Sequence, residues 1–142
     1  MGWSNFFGSK RPKYGNKKVK CDGQVFDSKK EYERYLFLKL AEEDGLIENL
    51  RCQVQFELEP AVIEEYEEQL KTKVVTRTRV AQRAMHYTCD FCYDKDGIQV
   101  VEDVKGSEAQ AKRDTAYQLR KKLLFARFRI RVKEVYKANS EI

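Results

Sequence analysis

The chain has a single histidine, His86, in 142 residues, and nothing beside it completes a Ser-His catalytic pair. It is expected to be a satisfied, partly buried side chain. No run of apolar residues approaches the roughly 18 needed to cross a bilayer, so no membrane span is expected. No secretory core is expected either, because Trp3, Phe6 and Phe7 are interrupted by Gly8 and then by Lys10, Arg11 and Lys13. These absences together lead us to expect a cytoplasmic protein. Cysteine is sparse, at positions 21, 52, 89 and 92. Cys89 and Cys92 have the CxxC spacing of a zinc knuckle or redox pair, but the alternation around them predicts a strand, which would send the two sulfurs to opposite faces. No zinc is therefore expected, and reduced thiols are.

Acidic residues are also missing from the start of the chain. None precedes Asp22, whereas Lys10, Arg11, Lys13, Lys17, Lys18 and Lys20 all do. Residues 1–20 lack periodicity and read as a basic N-terminal arm, leaving 21–142 as one domain of ordinary size. The formal net charge of +5 understates the basic surface, because six glutamates crowd into one stretch from Glu57 to Glu68. A second basic concentration runs from Lys112 to Lys137 and includes Lys121. Such segregation of sign points to a polyanionic partner, most commonly nucleic acid. The plainer alternative is a solvated charged surface.

The periodicities predict a mixed α/β domain. Val19 to Phe26 reads as an extended segment turning at Asp22-Gly23. Ser28 is placed to cap a helix running to about Asp44, with Gly45 beyond its end. Tyr32, Leu36 and Leu40 recur every four residues and, joined by Tyr35, Phe37 and Leu38, are expected to form its broad buried face. Leu50, Cys52, Val54, Phe56 and Leu58 alternate without interruption as one strand. From Pro60 to about Leu70 the pattern is ambiguous between a short helix and an extended loop. Lys73 to Val80 alternates as a strand with Arg77 and Arg79 on one face. Tyr87, Cys89, Phe91 and Tyr93 are expected on one face of the next strand, with Asp90 on the other. A hairpin turn at Asp94 to Gly97 leads to a strand from Ile98 to Lys105. A helix from about Ala111 to Phe125, burying Ala116, Leu119 and Leu123, and a last strand around Ile130 and Val132 complete the order.

The chemistry concentrates between Tyr87 and Gly106. On a strand, residues i and i+2 share a face, so Asp103 and Lys105 point the same way and Asp90 can join them from the neighbouring strand. Acids are disfavoured inside strands, and here two of them interrupt otherwise apolar alternation. Two carboxylates and an ammonium are the minimum for metal-assisted phosphodiester hydrolysis: Asp90, Asp103 and the Val104 carbonyl could ligate Mg²⁺, and Lys105 could orient a water or offset developing charge. Glu102 faces the other way. Glu31, three residues after Ser28, fits either a capping box, in which it merely satisfies the Ser28 backbone N–H, or a third carboxylate reaching the metal.

An aspartate on one hairpin strand, a D/E-x-K on the next and a glutamate on a preceding helix together resemble the PD-(D/E)xK nuclease superfamily. The pieces Lys13-Tyr14-Gly15-Asn16-Lys17-Lys18, Phe26-Asp27-Ser28-Lys29-Lys30-Glu31, Gln53 with Phe56 and Leu58, Asp90-Phe91-x-Tyr93 and Val101-Glu102-Asp103-Val104-Lys105-Gly106 are similar to a phage- and prophage-borne family described only as a domain of unknown function. The resemblance spans about residues 13 to 125. It implies a restriction-endonuclease-like mixed sheet flanked by helices, as in archaeal-type Holliday junction resolvases. It further implies a homodimer and Mg²⁺-dependent cutting of branched DNA, with Mn²⁺ able to substitute, by a phage protein acting in the host cytoplasm. Glu31, Asp90, Asp103 and Lys105 would be catalytic, the three acids and Val104 would hold the metal, and Lys10, Arg11, Lys13, Tyr14, Lys17, Lys18 and Lys121 would contact DNA. Two alternatives share the basic surface: a nicking or end-processing nuclease on linear DNA, and a non-catalytic nucleic-acid-binding module. The chain departs from the superfamily pattern in having Cys89 before Asp90, and its segment from Pro60 to Gln82 is longer than the resemblance leads us to expect.

Overall fold

A computed structural model describes residues 18–21 and 23–142. Five of the DNA-contact candidates, Lys10, Arg11, Lys13, Tyr14 and Lys17, lie outside the described residues, as does the turn residue Asp22. The order is β1 (Val19–Cys21), β2 (Gln24–Phe26), α1 (Lys29–Glu43), β3 (Glu48–Cys52), β4 (Gln55–Glu59), β5 (Val62–Gln69), β6 (Val74–Gln82), β7 (Met85–Thr88), β8 (Phe91–Lys95), β9 (Ile98–Val104), α2 (Glu108–Arg113), α3 (Thr115–Phe128) and β10 (Val132–Val135). This is a mixed α/β fold. Its central sheet runs β10-β9-β8-β3, with β10 parallel to β9 and the other neighbours antiparallel. No helix among the described residues is long and apolar enough to cross a membrane.

The sheet is covered on both faces. Leu38 and Ala41 of α1 pack with Phe26, Ile47, Phe91 and Tyr93 on one side. On the other, Ala111 of α2 and Tyr117 and Leu124 of α3 pack with Leu58, Tyr87, Cys89, Cys92 and Val101. The helix starts follow their caps: Ser28 Oγ accepts from Glu31 N–H at 3.1 Å, and the chain leaves α1 through Gly45 at φ 74°. Asp96 and Gly97, at φ 52° and 76°, make the two-residue turn that joins β8 to β9.

Each helix buries only part of the face its periodicity predicts: Leu38 is buried, Tyr32, Tyr35, Phe37 and Leu123 are partly buried, and the remaining expected residues are exposed. α1 buries Glu31, Arg34, Leu38 and Ala41, while Leu36 and Leu40 stand in solvent. The cause is a buried polar cluster: the Arg34 guanidinium binds both oxygens of Glu102 at 2.6 and 2.9 Å, and the Tyr93 hydroxyl donates to the same carboxylate at 2.6 Å. With this pair buried on the sheet side, Leu36 and Leu40 are left in solvent. The expected single helix after Ala111 is two, because Asp114 adopts an extended conformation and caps α3 by accepting from Tyr117 N–H at 3.0 Å. Tyr117 and Leu124 are its buried residues, and Ala116 and Leu119 are exposed.

Two further expectations are corrected by one feature. The uninterrupted alternation from Leu50 to Leu58 is two strands, β3 and β4, separated at Gln53, whose φ is 52°. Opposite it, the run from Met85 to Tyr93 divides at Cys89 and Asp90 into β7 and β8. Each break exchanges the faces of its strand. Tyr87 and Cys89 lie on the α3 side and Phe91 and Tyr93 on the α1 side. The exchange also brings Cys89 and Cys92 into the same cluster, not opposite ones. Burial pushes the Cys89 thiol up to about 12, which leaves it protonated and unreactive.

The ambiguous segment after Pro60 is neither helix nor loop. β5 pairs with β6 as an antiparallel hairpin, in which Arg79 meets Glu64 at 3.2 Å and Arg77 pairs with Glu68. In chain order this hairpin lies between β4 and β7, and it makes no substantial contact with the central sheet or the helices.

Candidate active site

The face exchange at Gln53 and Asp90 places two polar side chains where a regular ladder would place apolar ones. The backbones stay joined across the break, with Gln53 N–H donating to Asp90 O and Cys89 N–H to Val54 O, both at 3.0 Å. Gln53 then donates its amide to Glu31 Oε1 at 3.2 Å and to Asp90 Oδ1 at 3.5 Å. Asp90 Oδ2 accepts from the Val104 N–H at 2.8 Å, fastening β8 to the end of β9. The Glu31 carboxylate does not return to Ser28: its second oxygen accepts from Asp27 N–H at 3.1 Å. Only half a capping box is therefore present, and the Glu31 side chain faces the aspartates.

Asp103, on β9, is buried. Its Oδ2 accepts from the Tyr87 hydroxyl at 2.7 Å and lies 3.2 Å from Lys105 Nζ. The Lys105 ammonium also sits 3.9 Å from the centre of the Tyr117 ring, a cation–π contact that fixes its position. Lys30 Nζ donates to the Lys105 and Gly106 carbonyls at 3.3 Å, tying the exit from β9 to the first turn of α1. Glu102 points into the opposite layer, as the alternation predicts.

Electrostatics mark the same place. Burial, followed by the charges of Asp103 and then Glu31, pushes the Asp90 carboxyl up to about 8. Glu31 is also raised, chiefly by burial and further by Asp27 and Asp103. Burial raises Tyr87 as well, with Asp103 adding to it, so its hydroxyl stays protonated and donates. The half-buried Asp90 carboxyl, raised in this way, is one that a nearby cation would help to ionise at neutral pH.

An open cavity of about 500 Å³ covers this cluster, lined by Gln53, His86, Asp90, Asp103, Lys105 and Arg120, among others. It adjoins a second cavity of about 880 Å³ along Val104 to Tyr117, and Lys105, Asp114 and Tyr117 border both. Of the proposed DNA contacts, Lys18 is exposed beside Asp27 at 3.6 Å, and Lys121 is turned inward to Glu134 and the Tyr117 ring.

The structure brings Glu31, Asp90, Asp103 and Lys105 together, and it adds Gln53, Tyr87, Tyr117 and Arg120. Gln53 carries no periodic signal, because the apolar alternation passes straight through it. The contact of Tyr117 with Lys105 joins residues on different elements and leaves no trace in local pattern. Hard oxygen donors on Asp90 and Asp103 match the one or two carboxylates by which Mg²⁺ is usually held. Among the described residues no group of three or more acidic, histidine or cysteine side chains is placed to hold a metal ion, and of the neighbouring acids Asp90 and Asp103 are the pair that a largely hydrated ion would need.

Residues 11–140 match a family model described as a protein of unknown function, DUF1064. No curated protein and no solved structure matches the chain.

Proposed function

The chain belongs to the DUF1064 family, and from the geometry of its carboxylate cluster we propose that it is a Mg²⁺-dependent endodeoxyribonuclease acting on branched DNA, a Holliday junction resolvase in type. The observation that carries this reading is the meeting of Asp90 and Asp103 from adjacent strands, with Lys105 3.2 Å from Asp103 and Glu31 entering from α1, under an open cavity. A restriction-endonuclease-like core is part of the same proposal, and α1, the antiparallel β3-β8-β9 set and parallel β10 support it.

Mg²⁺ held by Asp90 and Asp103, with Val104 and Glu31 beside them, would stabilise charge on the phosphate and acidify an attacking water. The chain's own groups do the rest. Lys105, steadied by Tyr117, sits where it can orient a water or meet developing negative charge. Tyr87 fixes one oxygen of Asp103, and Gln53 holds Glu31 and Asp90 in register. Arg120 at the cavity rim is placed to meet a flanking phosphate.

Cleavage of a labelled four-way junction is expected with Mg²⁺ or Mn²⁺, and none with EDTA, while the matched linear duplex arms are cut far more slowly. Equal cutting of duplex and junction would replace the resolvase by a general nicking or end-processing enzyme. Binding of DNA without any cutting would leave only a nucleic-acid-binding module.

A second expectation concerns pH. Asp90 must lose its proton before its oxygens can ligate a cation. With its carboxyl raised to about 8, it is protonated below that pH, and metal binding must displace the proton. Mg²⁺ affinity should therefore rise by about tenfold per pH unit below pH 8 and level off above it. Calorimetric titration of Mg²⁺ between pH 6 and 9 checks this, and a flat profile would remove Asp90 from the ligand set.

A further inference from the structure

The β5–β6 hairpin has no role in the chemistry above, yet its state needs a physical account. A two-stranded hairpin alone is marginally stable in water. Here Val62, Ile63, Tyr66, Val74 and Val80 are all exposed, and neither strand packs substantially on any other element.

Its charge identifies what can cover it. β5 carries Glu64, Glu65, Glu67 and Glu68, and Lys71, Lys73, Arg77 and Arg79 follow on the turn and β6. The charges cancel, so the arm as a whole offers DNA no attraction. The register then divides the two faces. On one, Glu64 and Glu68 are neutralised by Arg79 and Arg77. The other carries Ile63 opposite Val80, Glu65 opposite Thr78 and Glu67 opposite Thr76. This second face is apolar and acidic, and it lacks a cationic partner on its own hairpin.

A surface of complementary character lies on the same chain. The outward face of α3 exposes Ala116, Leu119, Lys122 and Ala126, at helical spacings of three and four. It is apolar with a basic charge, within the basic stretch that closes the sequence. Within one chain the hairpin makes no substantial packing contact with α3.

The geometry points to a reciprocal exchange between two copies of this chain, in which the Ile63, Glu65, Glu67 and Val80 face of each hairpin lies on the α3 outer face of the other. Dimensions favour this over two hairpins stacked on one another. An eight-residue strand is about 26 Å long and a two-stranded ribbon about 10 Å wide, so one face offers about 260 Å². A single stack would bury about 500 Å² in total, whereas two exchanged arms bury about 1,000 Å², the size at which specific interfaces begin. The inference is independent of the proposed nuclease activity, since it needs neither metal nor substrate.

Sedimentation equilibrium of the full chain tests it. The unaltered protein is expected to be a dimer, and Glu65→Lys with Glu67→Lys to weaken dimerisation at least about tenfold by setting lysines against Lys122. Lys122→Glu alone should weaken it similarly by setting acid against acid. The triple variant restores the complementary signs and should return the constant to within about threefold of the original. Circular dichroism confirms that each variant is folded. A monomeric parent protein, a dimer indifferent to the reversals, or losses that the triple variant fails to recover would each overturn the exchange. So would a response confined to DNA affinity, which would make the hairpin a nucleic-acid contact instead.

Discussion

Asp103→Asn is expected to lower metal-dependent DNA cleavage by about a thousandfold or more, equivalent to about 4 kcal/mol of transition-state stabilisation, while leaving the fold and DNA binding intact. The substitution keeps the shape and an oxygen for the Tyr87 hydroxyl, which donates at 2.7 Å, so the local packing survives. What it removes is the charge that attracts a cation and pairs with Lys105 at 3.2 Å. DNA affinity in EDTA should be unchanged or slightly higher, because one negative charge facing the phosphates has gone. Lys105→Ala should also abolish cleavage, through loss of the ammonium and not of the metal, so its Mg²⁺ affinity should stay near that of the parent. Single-turnover cleavage beside fluorescence anisotropy of labelled DNA separates the two effects. Full activity in Asp103→Asn would remove the nuclease proposal altogether.

Arg34→Ala is expected to cost about 3–5 kcal/mol of folding stability, the largest single effect outside the site. Arg34 and Glu102 have no solvent exposure in their side chains, so truncating the arginine strands a buried carboxylate whose remaining partners are the Tyr93 hydroxyl and Lys133 at 3.6 Å. The same guanidinium donates to the Ala138 carbonyl at 3.1 Å and to that of Ser140, so the segment after β10 is released as well. Removing both charges with Arg34→Met and Glu102→Leu should recover part of the loss, because no buried charge is then left unpaired, while the Tyr93 hydroxyl and the Ala138 and Ser140 carbonyls still lose their partners. Urea midpoints for the single and double variants measure this. A single variant within about 1 kcal/mol of the parent would show that water or a rearranged side chain compensates Glu102.

Much of this architecture is legible in the sequence where a single local rule decides. Ser28 and Gly45 bound α1 because a cap and a left-handed exit are local requirements, and Gly97 sets the β8–β9 turn for the same reason. Asp103 and Lys105 share a face because the strand period is two. The rule fails where a long-range contact outweighs it. The apolar pattern of α1 finds Leu38 but misplaces Leu36 and Leu40, because the pairing of Arg34 with Glu102 joins residues far apart in the chain. The alternation from Leu50 to Leu58 hides the break at Gln53, since apolar residues fall on even positions before and after it while the core they enter changes sides. Gln53 and Tyr117 could not be assigned to the site for the same reason: each acts through partners on other elements.

The face exchange at Gln53 and Asp90 also divides the molecule into separate units of variation. Phase is reset at that point, and the hairpin from Val62 to Gln82 lies beyond the buried Leu58 and Tyr87, so a change in its length does not propagate into the ladder of β3 and β8 or into β9. A change in the outer hairpin leaves Asp90, Asp103 and Lys105 in their places. Selection can thus reshape what the protein associates with while the reactive groups stay fixed.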